Sequence, residues 1–247
     1  MCTVILLRRP GDAWPLILAA NRDERLERAW DPPAAHWPEQ PSLVGGRDRT
    51  GGGTWMAMRN GVVAAVLNRP GSLGPAPGKR SRGELPLIAL EGTTAADAAA
   101  AIAALEAAAW RPFNMVVADA RDAFFLRGLG EGRPEAVALE AGISMVTAHD
   151  PNDLTSPRTA RHLPRFRAAP APDPGRGDWA VWEALLADDS VGTAGIGAAL
   201  NVPPVNGFGT VCSSLVGMDA TGAVQWRFCR GRPAPGGFLP LPSERTP

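Results

Sequence analysis

The chain has 247 residues, of which 45% are hydrophobic and 20% charged, and its 25 basic and 25 acidic side chains leave no formal net charge. That length suits one domain with a substantial core. The balance excludes a global basic field for nucleic acid and an acidic tail for a basic partner. Three cysteines, an odd number with no CxxC pair, argue against a disulfide framework; the three histidines (His36, His149 and His162) lack metal-ligand spacing. No metal or cofactor is therefore expected. No apolar run approaches the ~20 residues of a spanning helix. The opening apolar run is broken by Arg8-Arg9-Pro10 before a signal-sized core forms. The expectation is a single domain over 1–247 in the cytoplasm.

Thr3-Val4-Ile5-Leu6-Leu7 and Leu16-Ile17-Leu18-Ala19-Ala20 are short apolar runs of the kind that make strands buried on both faces. The link between them carries a Pro10-Gly11 turn signal, which predicts an antiparallel hairpin. The second run ends in Asn21-Arg22-Asp23-Glu24, and the hairpin returns this charged group to the end of the sheet where the chain starts. Cys2 then faces Arg22 and Asp23. With Met1 trimmed, Cys2 carries a free α-amine of reference pKa about 8, which can act as a base for its own thiol. A nearby arginine favours the thiolate. The plainer alternative is a small hydrophobe opening an edge strand, with a solvated turn at 21–24.

Arg25 to Pro41, with Asp31-Pro32-Pro33 and Trp37-Pro38, reads as an irregular surface excursion whose Trp30, His36 and Trp37 either line a cleft or anchor the loop. Gly45 to Gly53 is too poor in phosphate-loop features for a nucleotide cradle, and indicates close backbone approach or a bulge before a strand. Asn60-Gly61 marks a hairpin, and Asn68 ends its returning strand. Gly71 to Arg80 is a mobile loop. Its basic end, Lys79, Arg80 and Arg82, either meets an anionic ligand or forms a solvated face. Ser81 and Glu84 form a capping box for a helix through Leu90. Thr93-Thr94 start a second helix, Asp97 to Ala109. Strands are predicted at Phe113–Ala118 and Ala123–Arg127, with Val137–Leu139 and Ile143–Val146 extending the same sheet. Helices follow at Pro157–Phe166 and Asp178–Leu186, the second with a core stripe of Trp179, Trp182, Leu185 and Leu186. Thr210–Met218 and Ala223–Phe228 read as a closing hairpin, and the tail from about 231 as loosely held.

Cys2 and its strand, Ala19-Ala20-Asn21-Arg22-Asp23-Glu24, Gly45-Gly46-Arg47-Asp48, Gly52-Gly53-Thr54-Trp55, Asn68-Arg69, Ser81-Arg82-Gly83-Glu84 and Phe113-Asn114 together resemble the NRDE family. That family, of the transport and Golgi organisation protein 2 kind, is similar to the cysteine-type N-terminal-nucleophile hydrolases. The resemblance implies an α+β fold, a four-layer αββα sandwich. It implies Cys2 as nucleophile, Arg22 as the group that orients and acidifies it, Asp23 or Glu24 as the carboxylate that positions the amine, and Asn68 in the oxyanion hole. Asn21, Asn114, Trp30, Trp37 and His149 are the candidate substrate-binding residues. Two departures stand out. The Ser-Asn pair usual before the helix at Ser156-Pro157 is replaced, with His149, Asp150 or Asn152 as substitutes, and Val211 and Cys212 stand where the family often has an arginine. Two functions follow: hydrolysis of an amide or other acyl bond through Cys2, or non-catalytic carriage of haem or another hydrophobic ligand.

Overall fold

In the computed structural model, which describes residues 2–241, the first hairpin forms as the apolar runs predict. β1 (Thr3–Arg8) and β2 (Leu16–Arg25) pair antiparallel with Thr3 opposite Asn21 and Arg8 opposite Leu16. The turn is closed by Gly11 at φ +85°, which a side chain would strain. β2 does not stop at Ala20. Its far edge pairs with the long β11 (Phe208–Met218), setting Asp23 opposite Thr210 and Arg22 opposite Cys212, with an irregularity at Val211. Asn21 to Glu24 is therefore central strand rather than turn, because a partner on each side supplies its backbone hydrogen bonds.

β10 (Gly142–Val146) pairs with β1, and β12 (Val224–Arg230) and β13 (Leu239–Pro240) continue beyond β11, giving a six-stranded sheet ordered β10-β1-β2-β11-β12-β13. A second, seven-stranded antiparallel sheet runs in sequence order. Its strands are β3 (Trp30–Ala34), β4 (Val44–Asp48), β5 (Met56–Arg59), β6 (Val62–Asn68), β7 (Phe113–Ala118), β8 (Ala123–Gly128) and β9 (Glu135–Ala138). Asn60 (φ +50°) and Gly61 (φ +74°) make the tight β5–β6 turn.

Alternation along the strands builds three apolar layers. Val4, Leu6, Leu18, Met56, Val63, Leu67 and Val116 fill the space between the sheets. The outer face of the second sheet, through Ala57, Ala64, Phe113 and Met115, is covered by α1 (Leu85–Ala89) and α2 (Ala95–Ala103). The outer face of the first, through Ile5, Ile17, Ala19 and Leu215, packs on α3 (Pro157–Ala168) and α4 (Ala180–Leu186), where Trp182, Leu186 and the preceding Trp179 are buried. The result is the expected four-layer αββα sandwich.

Several local expectations change. Residues 30–34 are an edge strand, where prolines without an N–H are tolerated, and the pairing slips between Asp31 and Ala34 at Pro32-Pro33. β10 joins the first sheet, not the second, because Val4 to Arg8 offers it an open edge. Glu84 pairs with Arg80 at 2.5 Å instead of closing a capping box, and α2 ends at Ala103. The tail is held as far as residue 241: Phe238 is fully buried and Leu239 pairs with Phe228. Residues 242–247 of that tail lie outside the described residues. No helix among the described residues is long and apolar enough to cross a membrane.

Candidate active site

The period of two divides the central tetrapeptide between the faces of β2. Asn21 points to the helical layer and is fully engaged: Nδ2 donates to the carbonyls of Leu186 and Leu200 (both 3.0 Å), and Oδ1 accepts from Ser213 Oγ at 2.6 Å. Asp23 points the same way. Its Oδ1 accepts from Thr210 Oγ1 at 2.6 Å and its Oδ2 from Arg158 Nη1 at 2.8 Å. Arg158, in the first turn of α3, also donates to Thr3 Oγ1 at 2.9 Å, so one guanidinium ties β1, β2 and α3 together.

Arg22 points the other way, between the sheets. Its guanidinium lies 4.2 Å from the Trp55 ring centroid and 6.0 Å from that of Trp30, and Nη2 is 3.2 Å from Asp48 Oδ2. Nη1 is buried and makes no hydrogen bond with a described residue. The Cys2 thiol is half-buried on this face, 3.6 Å from the backbone carbonyl of Asp23. Cys2, Arg22, Trp55, Leu67 and Cys212 help line a cavity of about 20 Å³, room for about one water. The thiol thus shares its face with Arg22, while the Asp23 carboxylate sits behind the strand. Burial pushes the Cys2 thiol up, Asp23 adds to this, and Arg22 opposes it. Burial also works to raise Asp48. Hydrogen bonds from Arg28 and Gly51, with the charges of Arg28 and Arg22, outweigh it and hold the carboxyl low.

The glycines of the motif segments make room here. A Cβ at Gly46 would fall 2.2 Å from the Trp55 ring, and one at Gly53 2.3 Å from Gly83. Only glycine lets Trp55 lie flat beneath Arg22 and the 83 segment pack against it.

The other candidates scatter. Asn68 closes β6 opposite Phe113, and Leu67 rather than Asn68 lines the cavity. Asn114 is fully buried; it donates to the carbonyls of Thr147 (3.0 Å) and His149 (2.7 Å) and accepts from Arg69 at 2.5 Å. Its amide joins the two sheets. His149 is half-exposed, with Nδ1 3.5 Å from Asp153 Oδ2. Trp30 stacks edge-on against Trp55 and Phe228 (5.7 and 6.1 Å) and belongs to the Arg22 cluster. Trp37 stands apart, against His36 at 5.8 Å beside an open groove with Arg47, Asp48 and Arg49. Sequence reasoning missed Arg158 and Thr210. Nothing in a helix-start arginine or a strand threonine announces a partner more than 130 positions away; only the sheet order supplies it.

Two antiparallel sheets stacked between helical layers, with the first residues of the first strand at the cavity between them, define an N-terminal-nucleophile hydrolase fold. The chain belongs to the family described as Transport and Golgi organisation 2, which matches residues 1–162. Among solved structures it is similar to the Caenorhabditis elegans N-acylethanolamine-hydrolyzing acid amidase ortholog, at 13% identity and a TM-score of 0.59, over 87% of this chain and 92% of that one. That likeness is one of fold. No curated protein matches the sequence.

Proposed function

We propose that this chain is a cysteine-type N-terminal-nucleophile hydrolase acting on an amide or other acyl bond. The observation that carries the reading is the Cys2 thiol at the inter-sheet cavity beside Arg22, with Asp23 clamped behind it by Arg158 and Thr210. Met1 lies outside the described residues; its removal leaves an α-amine on Cys2. That amine takes the thiol proton, and the sulfur attacks the acyl carbonyl. The ammonium returns the proton to the leaving group as the acyl bond breaks. Water, deprotonated by the amine, then cleaves the thioester and restores the thiol. Arg22 favours the thiolate. The Asn68 amide, at the end of β6, is the proposed oxyanion donor. Asp23 is favoured over Glu24 as the carboxylate for the amine because it is buried and held by Arg158 and Thr210, whereas Glu24 lies at the surface side, accepting from the Arg25 backbone N–H (2.8 Å) and standing 3.9 Å from Arg22 and 3.8 Å from Arg28.

A carrier of haem or another hydrophobic ligand needs an enclosed apolar volume. The cavity at Cys2 is about 20 Å³, whereas acyl transfer needs only one carbonyl to reach the thiol from the cavity mouth. The test is intact-mass analysis of protein beginning at Cys2, incubated with acyl amides and thioesters. A transient acyl adduct on Cys2, absent in Cys2→Ala, is expected, with turnover. Processed protein that forms no adduct and turns over no donor, yet binds haem saturably, would overturn it.

A further inference from the structure

One cation near Cys2, Arg82, forms no ion pair with a described residue. Arg82 opens the short turn Arg82–Glu84, and the next residue, Gly83, is packed against the Gly53-Thr54-Trp55 segment, with Thr54 N donating to the Gly83 carbonyl at 2.9 Å. Trp55 lies beneath Arg22 and lines the cavity with Cys2. The close approach of Gly53 and Gly83 therefore sets the turn that carries Arg82 against the segment leading into Trp55. Its Nη1 donates to the Ser72 carbonyl (2.7 Å), the Ser72 hydroxyl (2.9 Å) and the Pro112 carbonyl (3.1 Å). These oxygens are neutral, so no carboxylate among the described residues pairs with the charge. The Nε–Nη2 edge makes no hydrogen bond with a described residue, and that edge of a guanidinium takes a carboxylate in a two-pronged grip.

The neighbouring cations differ. Arg28 pairs with Asp48 at 2.6 Å, Arg22 with the same carboxylate at 3.2 Å, Arg69 with Asp150 at 2.7 Å and Arg80 with Glu84 at 2.5 Å. Arg111 pairs with no described carboxylate either, but it is wrapped by the carbonyls of Gly71, Leu73, Gly74 and Pro75. Among the described residues, Arg22, Arg28 and Arg82 thus stand against Glu24 and Asp48, with Asp23 balanced by Arg158, which leaves one positive charge in excess. Burial, helped by Arg111, pushes Arg82 down to about 10, while Cys2 and Glu24 favour its charged form. It stays charged at neutral pH and is electrostatically coupled to the thiol.

We propose that Arg82 is a specificity residue that docks a carboxylate of the substrate, so that the acyl donor meeting Cys2 is anionic. This rests on the Cys2 hydrolase reading and adds the class of substrate. The carboxylate can sit on the acyl side or on the amine side of the scissile bond, and the two arms of the test separate these.

The first measurement does not need turnover. Alkylation of Cys2 by iodoacetamide is followed by mass in the presence of glutarate, its neutral diamide, or inorganic phosphate. Glutarate should protect the wild type and the diamide should not. Arg82→Met should raise the glutarate needed by roughly tenfold to a hundredfold, the loss expected for one charge-assisted hydrogen-bonded contact, and Arg82→Lys should recover part of it. Since Arg82→Met also cuts the Ser72–Pro112 tie, the Lys variant and a thermal melt distinguish lost docking from lost folding. The second measurement compares kcat/KM for glutaryl-4-nitroanilide, butyryl-4-nitroanilide and N-butyryl-4-aminobenzoate. Preference for one anionic donor should collapse in Arg82→Met, and the donor preferred assigns the side. Absence of protection by glutarate, equal protection in wild type and Arg82→Met, or equal protection by phosphate would overturn the carboxylate assignment. Protection without turnover of any donor would overturn the hydrolase reading and leave the docking site standing.

Discussion

Arg158→Met tests whether the buried ion pair behind Cys2 holds the site together. The side chains of Arg158 and Asp23 are 3% and 0% exposed and meet at 2.8 Å. Removing one partner of such a pair strands a buried charge and costs about 3–5 kcal/mol, far more than a surface pair. Methionine keeps much of the stem volume, so the loss reports the charge and its polar contacts, those to Asp23 and Thr3 among them. At about 2–4 °C per kcal/mol for a chain of this size, the midpoint should fall by roughly 6–20 °C. The assay is thermal denaturation of Arg158→Met, Asp23→Asn and the double variant at neutral pH. Each single change takes the opposite charge away from one buried group, whereas the double change removes both charges. The double variant should therefore be more stable than the sum of the single losses predicts, by about 0.5–3 kcal/mol. A midpoint for Arg158→Met within about 0.5 kcal/mol of wild type, or strictly additive losses, would refute the reasoning.

Cys2 should be alkylated by iodoacetamide faster than Cys212 or Cys229, which are buried and whose thiols burial pushes up; equal labelling of all three in the folded protein would remove the case for a tuned site. Because burial and Asp23 raise the Cys2 thiol while Arg22 lowers it, Arg22→Ala should move the pH profile of alkylation upward and Asp23→Asn downward, and shifts in the opposite directions would contradict the assignment. Asn68→Ala should lower kcat by the equivalent of about 2.7–4 kcal/mol if its amide holds the oxyanion, while a change confined to KM would exclude that role. His162 is buried in α3, donates from Nε2 to the Ala198 carbonyl (2.9 Å), and is pushed down to about 4 by burial and by Arg165. The unfolded chain binds that proton near pH 6.5, so stability should fall as pH drops from about 6.5 to about 4, by up to about 3 kcal/mol. His162→Gln should flatten this part of the pH–stability curve, and an unchanged slope would show that other groups carry it.

The strands and turns were legible in the sequence wherever the signal is local. Apolar runs at 3–7 and 16–20, Asn60-Gly61, Ser156-Pro157 and the Trp179–Leu186 stripe each carry their own backbone preference or burial pattern, and the structure places strands, a tight turn and helices there. The family motifs carried the layered fold, because glycines at 46, 53 and 83 and the charged tetrapeptide serve contacts that this architecture requires. What local patterns could not decide is where strands go once formed. Residues 142–146 join the first sheet because β1 has a free edge, and Asp31-Pro32-Pro33 becomes strand because an edge does not need the missing N–H. Asn21 to Glu24 is a central strand because β11, nearly 190 positions later, pairs with it. That pairing then divides the tetrapeptide by face: Arg22 turns to the thiol and the indoles, while Asn21 and Asp23 turn to the helices. Arg158 enters the site only because α3 packs beneath β2, and Arg82 only because two glycines let its turn approach Trp55. Period and turn chemistry are properties of a few consecutive residues and can be read from them. Partners that satisfy a buried charge are chosen by sheet order and layer packing, which no stretch of sequence contains alone.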